Sequence, residues 1–134
     1  MSAKRYLNNF CQSLAITLMG TLLVSCTTIQ EIRDADPIHT SSLPGTPREI
    51  AFCFMEKTMG EWQVQNWMND DGSIVKLQYS LGDQMFTHPL WEATLKRSPT
   101  GVDFQMRARL TVWGSPVDTV DKALSLFRAC APST

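Results

Sequence analysis

The 134-residue sequence contains none of the short motifs that commonly identify an enzyme active site. It has no Gly-x-Ser-x-Gly elbow, phosphate-binding loop, dinucleotide fingerprint, Cys-x-x-Cys pair or His-Glu-x-x-His pair. Each of these motifs holds a nucleophile, a phosphate cradle or metal ligands at the spacing that its chemistry requires. We therefore expect no enzymatic activity and no cofactor.

Residues that bind metal ions are equally scarce. The two histidines, His39 and His88, have no Cys, Asp or Glu at a recognisable metal-ligand spacing. The run Asp70-Asp71-Gly72 could begin a calcium loop, but the residues after it lack the remaining acidic ligands, and a plain turn is the better interpretation. We expect no metal site.

The sequence also lacks an excess of positive charge. Its 12 basic and 13 acidic residues give a formal net charge of −1, which becomes −3 without Lys4 and Arg5. A protein that binds the polyanionic nucleic-acid backbone usually carries a basic field. We expect no nucleic-acid partner.

No apolar run reaches the ~20 residues that a transmembrane helix needs. The longest lies between Phe10 and Ser25, is interrupted by uncharged polar residues, and follows the positive charges of Lys4 and Arg5. This pattern is typical of a cleavable export signal. It ends in Leu23-Val24-Ser25-Cys26, which resembles the lipobox of bacterial lipoproteins.

The lipobox resemblance implies a lipid anchor. In that family a diacylglyceryl group is attached to the cysteine sulfur and the signal is cut before this cysteine, so Cys26 would begin the mature protein and residues 1–25 would be the signal peptide. Acyl chains such as palmitate contribute ~0.8 kcal/mol per buried methylene, enough for stable attachment when several chains are present. Thr27 replaces the Asp that tends to retain such proteins at the inner membrane, which favours the outer membrane, facing the periplasm. The resemblance covers only residues 1–26, and we recognise no family for the rest.

We predict that residues 26–45 comprise the lipid-bearing Cys26 and a flexible linker. It is polar, contains two prolines and shows no sustained apolar period. The remaining residues, 46–134, are enough for one small folded domain.

Two helices are predicted, one near each end of this domain. Thr46-Pro47-Arg48-Glu49 has the cap, the proline and the acid of a capping box, and predicts a helix to about Met59. Ser115-Pro116-Val117-Asp118 repeats the cap, proline and acid, and predicts a helix over residues 116–130. Between them, period-two alternation predicts antiparallel strands, with turns at Asn69-Asp70-Asp71-Gly72 and Ser98-Pro99-Thr100-Gly101.

The expected fold is therefore α+β. It consists of a three- or four-stranded antiparallel meander with the N-terminal and the C-terminal helix packed on one face; Trp62 to Met68 would supply the fourth strand. Cys53 and Cys130 lie on the apolar stripes of the two helices. Because the protein is exported and the other two cysteines lie in the signal and at the lipid anchor, we predict a disulfide between Cys53 and Cys130.

Two surfaces are candidates for partner binding. The outward positions of the strands carry cations and an aromatic residue that could meet an anionic component, although a merely solvated sheet face has the same composition. These residues are Lys76, Lys96, Arg107, Arg109 and Trp113. The second candidate is the segment Ser80 to Pro89, whose apolar residues could instead fold back on the sheet edge.

The sequence favours an outer-membrane lipoprotein that is anchored through Cys26 and has a non-enzymatic binding or scaffolding role in the cell envelope. Its partner would be an envelope protein or an anionic envelope component. The alternative is a periplasmic inhibitor or immunity lipoprotein against a lytic enzyme, for which the size, the anchor and the disulfide are also suitable.

Overall fold

The computed structural model describes residues 29–82, 87–108 and 117–132. These residues form three helices and five strands. The helices are α1 (Ile29–Asp34), α2 (Pro47–Thr58) and α3 (Val117–Cys130). The strands are β1 (His39–Leu43), β2 (Val64–Met68), β3 (Ile74–Gly82), β4 (Thr87–Ser98) and β5 (Gly101–Ala108). The predicted signal peptide and the predicted lipidation site Cys26 lie outside the described residues.

All five strands belong to one antiparallel sheet, in the order β1-β5-β4-β3-β2. Strands β2 to β5 form the predicted meander, including the fourth strand expected between Trp62 and Met68. The sheet has five strands rather than three or four, because β1 pairs with β5 and places His39 opposite Met106 and Leu43 opposite Val102.

The additional strand and the additional helix come from the segment that was predicted to be a flexible linker. Ile32 of α1 is fully buried, and the backbone N–H of Ile38 donates to the carbonyl of Met106 at 2.9 Å. The fold therefore begins before Thr46, the predicted domain boundary. The segment has only isolated apolar residues, such as Ile32 and Leu43, so no repeating pattern in its sequence could reveal structure that depends on contacts with the sheet.

Helix α2 begins at the predicted capping box. The Thr46 hydroxyl accepts from the Glu49 backbone N–H at 3.3 Å, and the Glu49 carboxylate accepts from the Thr46 backbone N–H at 3.2 Å. Together these bonds satisfy backbone donors at the helix start that have no partner within the helix.

Helices α2 and α3 contact each other and cover one side of the sheet, which we call the inner face. Phe54 of α2 stacks on Phe127 of α3 with ring centroids 4.1 Å apart, and both rings contact Trp91 on β4 in a T-shaped arrangement. Cys53 and Cys130 form the predicted disulfide, with their Cα atoms 5.6 Å apart. Aromatic rings thus contact one another between the helices and the sheet, in a core that is otherwise mainly aliphatic, and a covalent bond joins the two helices.

Two predicted turns connect neighbouring strands. In the first, the Asp71 carboxylate accepts from the Ser73 backbone N–H at 3.0 Å, and this bond lowers the pKa of Asp71. In the second, Gly101 has a φ of +140°, and a Cβ at this position would collide with the carbonyl oxygen of Leu43. Gly101 therefore allows the end of β1 to approach the β4–β5 turn. Within the described residues, no helix is long and apolar enough to cross a membrane.

Candidate functional site

The side of the sheet opposite α2 and α3, which we call the outer face, carries the polar residues of each strand. Three of the predicted binding residues, Lys76, Lys96 and Arg107, occupy outer-face positions in β3, β4 and β5. The other two, Arg109 and Trp113, lie outside the described residues. The register places Arg107 opposite Glu92, whereas Lys76 lies opposite Thr94 on one side and opposite Trp67 on the other.

Helix α1 covers part of this outer face. The Arg33 guanidinium donates from Nε to Glu92 Oε2 at 2.9 Å, and a second guanidinium nitrogen lies 2.8 Å from the same oxygen. This hydrogen bond raises the pKa of Arg33. The Glu92 side chain is only 4% exposed, so the ion pair fixes α1 against β4 and compensates the charge of a buried carboxylate.

Arg107 has a structural role on the same face. Its Nε donates to the carbonyl oxygen of Ala35 at 3.1 Å, directly after α1. The residue therefore holds the connection between α1 and β1. Two predicted cations therefore differ: Arg107 is hydrogen-bonded to the backbone, and Lys96 is exposed to solvent.

A cleft lies on the outer face between α1 and the edge strand β2. Its volume is about 390 Å³, which is within the usual range of small-molecule sites. We call it the outer cleft. It is lined by Arg33, Gln65, Asn66, Trp67, Lys76, Gln78 and Glu92.

Lys76 and Trp67 form a cross-strand pair at the rim of the outer cleft. The Lys76 ammonium lies 5.9 Å from the centroid of the Trp67 ring, within the range of a cation–π interaction. Trp67 is 55% exposed although it is a large aromatic residue. Among the described residues, no carboxylate lies within ion-pair distance of Lys76. Lys76 can therefore pair with an anionic group of a ligand.

Two amide side chains line the cleft beside this pair. Gln78 donates from Nε2 to the Ser80 hydroxyl at 3.2 Å, which orients its amide group. Gln65 lies opposite Gln78 on the exposed edge strand. A glutamine amide both donates and accepts hydrogen bonds, so the pair is suited to an uncharged polar ligand surface with hydroxyl or amide groups.

Strand alternation predicts Lys76 on the binding face, whereas the other residues that line the cleft were not among the predicted binding residues. Trp67 was included in the expected fourth strand, where period two already places it on the face opposite Val64. That alternation was the available signal. The contact between Arg33 and Glu92 could not have been found in this way, because it depends on α1, which the sequence pattern did not predict.

Of the second predicted binding surface, residues 80–82 lie at the end of β3 and residues 87–89 at the start of β4. Strand β3 continues to Gly82 and β4 begins at Thr87, with a register shift between Tyr79 and Ser80. Leu81 is 51% exposed and Leu90 is buried in the core, whereas residues 83–86 lie outside the described part.

The described residues contain no group of three or more His, Cys, Asp or Glu side chains that could hold a metal ion. The chain matches no protein-family model, and it shows no significant similarity to a curated protein or to a solved structure.

Proposed function

We propose that the protein is a lipoprotein of the bacterial outer membrane that faces the periplasm and binds an envelope component without catalysing a reaction. The anchor is supported by the N-terminal sequence: two positive charges, an apolar run and the lipobox-like Leu23-Val24-Ser25-Cys26. The binding role is supported by one structural observation, the outer cleft with its exposed Trp67 and its available Lys76.

The short distance between the proposed anchor and α1 supports a binding site close to the membrane. Ile29, the first residue of α1, lies three positions after Cys26, so their Cα atoms can be at most about 11 Å apart. Because α1 is fixed to the outer face by the Arg33–Glu92 ion pair, the domain has little freedom to extend away from the bilayer. The proposed partner is therefore a component that can be reached close to the membrane surface.

The anchor is tested by replacing Cys26 with Ser in the native host and following incorporation of labelled palmitate. The substitution should abolish labelling and leave a larger precursor, because the serine hydroxyl cannot replace the thiol in thioether formation. Cys11→Ser is the matched control and should leave labelling and size unchanged. Mature-sized, unlabelled protein in the membrane fraction of the wild type would contradict the proposal.

A second candidate function, inhibition of a lytic enzyme, is favoured by a separate surface between α2 and the edge strand β2. Phe52 and Met68 are 51% and 39% exposed and line a shallow hollow there together with Met55. Exposed apolar side chains are common at protein–protein interfaces. If this function is right, the purified protein should protect cells from such an enzyme, and Phe52→Ser should weaken the protection.

A further inference from the structure

We propose that the outer cleft binds a carboxylate-bearing saccharide, with a sugar ring against the indole of Trp67 and the carboxylate paired with the ammonium of Lys76. This inference rests on the binding role proposed above and specifies its ligand. It follows from the combination of an exposed aromatic ring, amide groups and one available cation in a cleft of small-molecule size.

The aromatic component is Trp67. An indole ring offers a flat apolar surface, and the C–H groups on one face of a sugar ring form a matching apolar surface. Trp67 lies on the edge strand β2 and is 55% exposed, so a ligand can reach it from solvent. A tryptophan that served only the core would be buried, as Trp91 is in the same protein.

The hydroxyl and amide groups of a saccharide need partners that both donate and accept. Gln65 and Gln78 lie side by side on β2 and β3 and line the outer cleft. The bond from Gln78 to Ser80 uses one of its amide hydrogens and leaves its carbonyl oxygen available to a ligand hydroxyl. The amides thus complement the polar edge of a sugar ring while Trp67 complements its face.

The charges in the cleft limit the ligand to few negative groups. Arg33 is paired with Glu92 through both Nε and a terminal nitrogen, so these two charges balance each other. Among the described residues that line the cleft, Lys76 is the one cation without an ion-pair partner. A polyphosphate or a nucleic acid would require several cations or a cradle of backbone N–H groups. One ammonium beside two amides instead fits a mostly uncharged ligand with one carboxylate.

The proposal is tested with two sugars that differ only by an acidic substituent, N-acetylmuramic acid and N-acetylglucosamine. Each is titrated into the protein purified from its host, with chemical-shift changes as the measurement. The acidic sugar should bind about tenfold more tightly or better, the usual effect of one charged hydrogen bond. Lys76→Gln should remove this preference, and Trp67→Ala should weaken the binding of both sugars.

Lys96→Gln is the matched control, because Lys96 lies on the same face but does not line the outer cleft. It should leave both affinities unchanged. The proposal is overturned if neither sugar binds up to its solubility limit, if both bind equally, or if Lys96→Gln has the same effect as Lys76→Gln. Capture of a protein partner at the cleft, in place of sugar binding, would overturn the ligand class and leave the proposed binding function intact.

Discussion

Arg33 and Glu92, 59 positions apart in the sequence, are joined by a hydrogen-bonded ion pair in which guanidinium nitrogens lie 2.8 and 2.9 Å from one carboxylate oxygen. The contact connects the first described helix to a central strand. It buries the carboxylate and forms one wall of the outer cleft. The Arg33–Glu92 ion pair thus contributes both to the start of the folded domain and to the lining of the candidate site.

Removing the cation should destabilise the protein. Arg33→Gln leaves the Glu92 carboxylate buried without its partner, and we expect the free energy of unfolding to fall by about 1–3 kcal/mol in a urea titration. Adding Glu92→Gln should recover part of this loss, because it removes the buried charge as well. If the two substitutions are simply additive, the pair does not fix α1 to the sheet.

Burial of Ile32 gives a second test of the position of α1. Ile32→Ala should lower the free energy of unfolding by about 2–5 kcal/mol, as is usual when a fully buried aliphatic side chain is truncated. Ile38→Ala is the matched control, because Ile38 is 47% exposed and should cost much less. Equally small losses for both variants would indicate that residues 29–38 form the flexible linker predicted from the sequence.

The difference between the predicted and the observed fold has a physical cause. Elements with their own signals were predicted correctly: the capping box at Thr46, the alternating strand that begins at Gly101, and the cysteine pair on two helical stripes. Helix α1 has six residues and one buried side chain, too few for a period to be visible. Its position is set by contacts with distant strands, which a local pattern does not contain.

The same limit of local sequence patterns explains which residues of the candidate site could be predicted. Alternation was enough to put Lys76 on the outer face, because β3 has a clear period of two. The alternation does not show which outward-facing cations already have a partner within the protein. Arg107 bonds to Ala35 and Lys76 contacts Trp67, and only the three-dimensional structure distinguishes the two.

The disulfide should contribute strongly to stability. It joins residues 77 positions apart, and in the chain-entropy model closure of such a loop is worth about 4–5 kcal/mol. Cys53→Ser and Cys130→Ser should each lower the melting temperature substantially, and the double variant should be no less stable than either single one. Two thiols that react freely with an alkylating reagent in the folded, unreduced protein would contradict this prediction.

Tyr79 should ionise at a higher pH than a free tyrosine. Burial raises the pKa of Tyr79, and the charge of Glu61 raises it further, whereas Lys122 lowers it. Because the folded-state pKa is above the ordinary value, the stability linked to neutral Tyr79 is present below about pH 10 and is lost as the pH rises through the raised pKa.

This titration can be followed by the absorbance of the phenolate. Without residues 1–25 the chain has a single tyrosine, so the signal belongs to Tyr79 alone. Lys122→Gln should raise the midpoint further and Glu61→Gln should lower it, because these two side chains have opposite effects on the pKa of Tyr79. A midpoint at or below that of free tyrosine would show that Tyr79 is not buried against the core.

Photo-crosslinking in the native host shows whether the outer cleft contacts an envelope component. A photoreactive residue is introduced at position 65, on the rim of the cleft, or at position 121, an exposed position on α3. If the cleft contacts an envelope component, position 65 should give a discrete crosslinked product that is lost with Trp67→Ala, and position 121 should give none. Products from position 121 alone, or a product from position 65 that persists with Trp67→Ala, would contradict it.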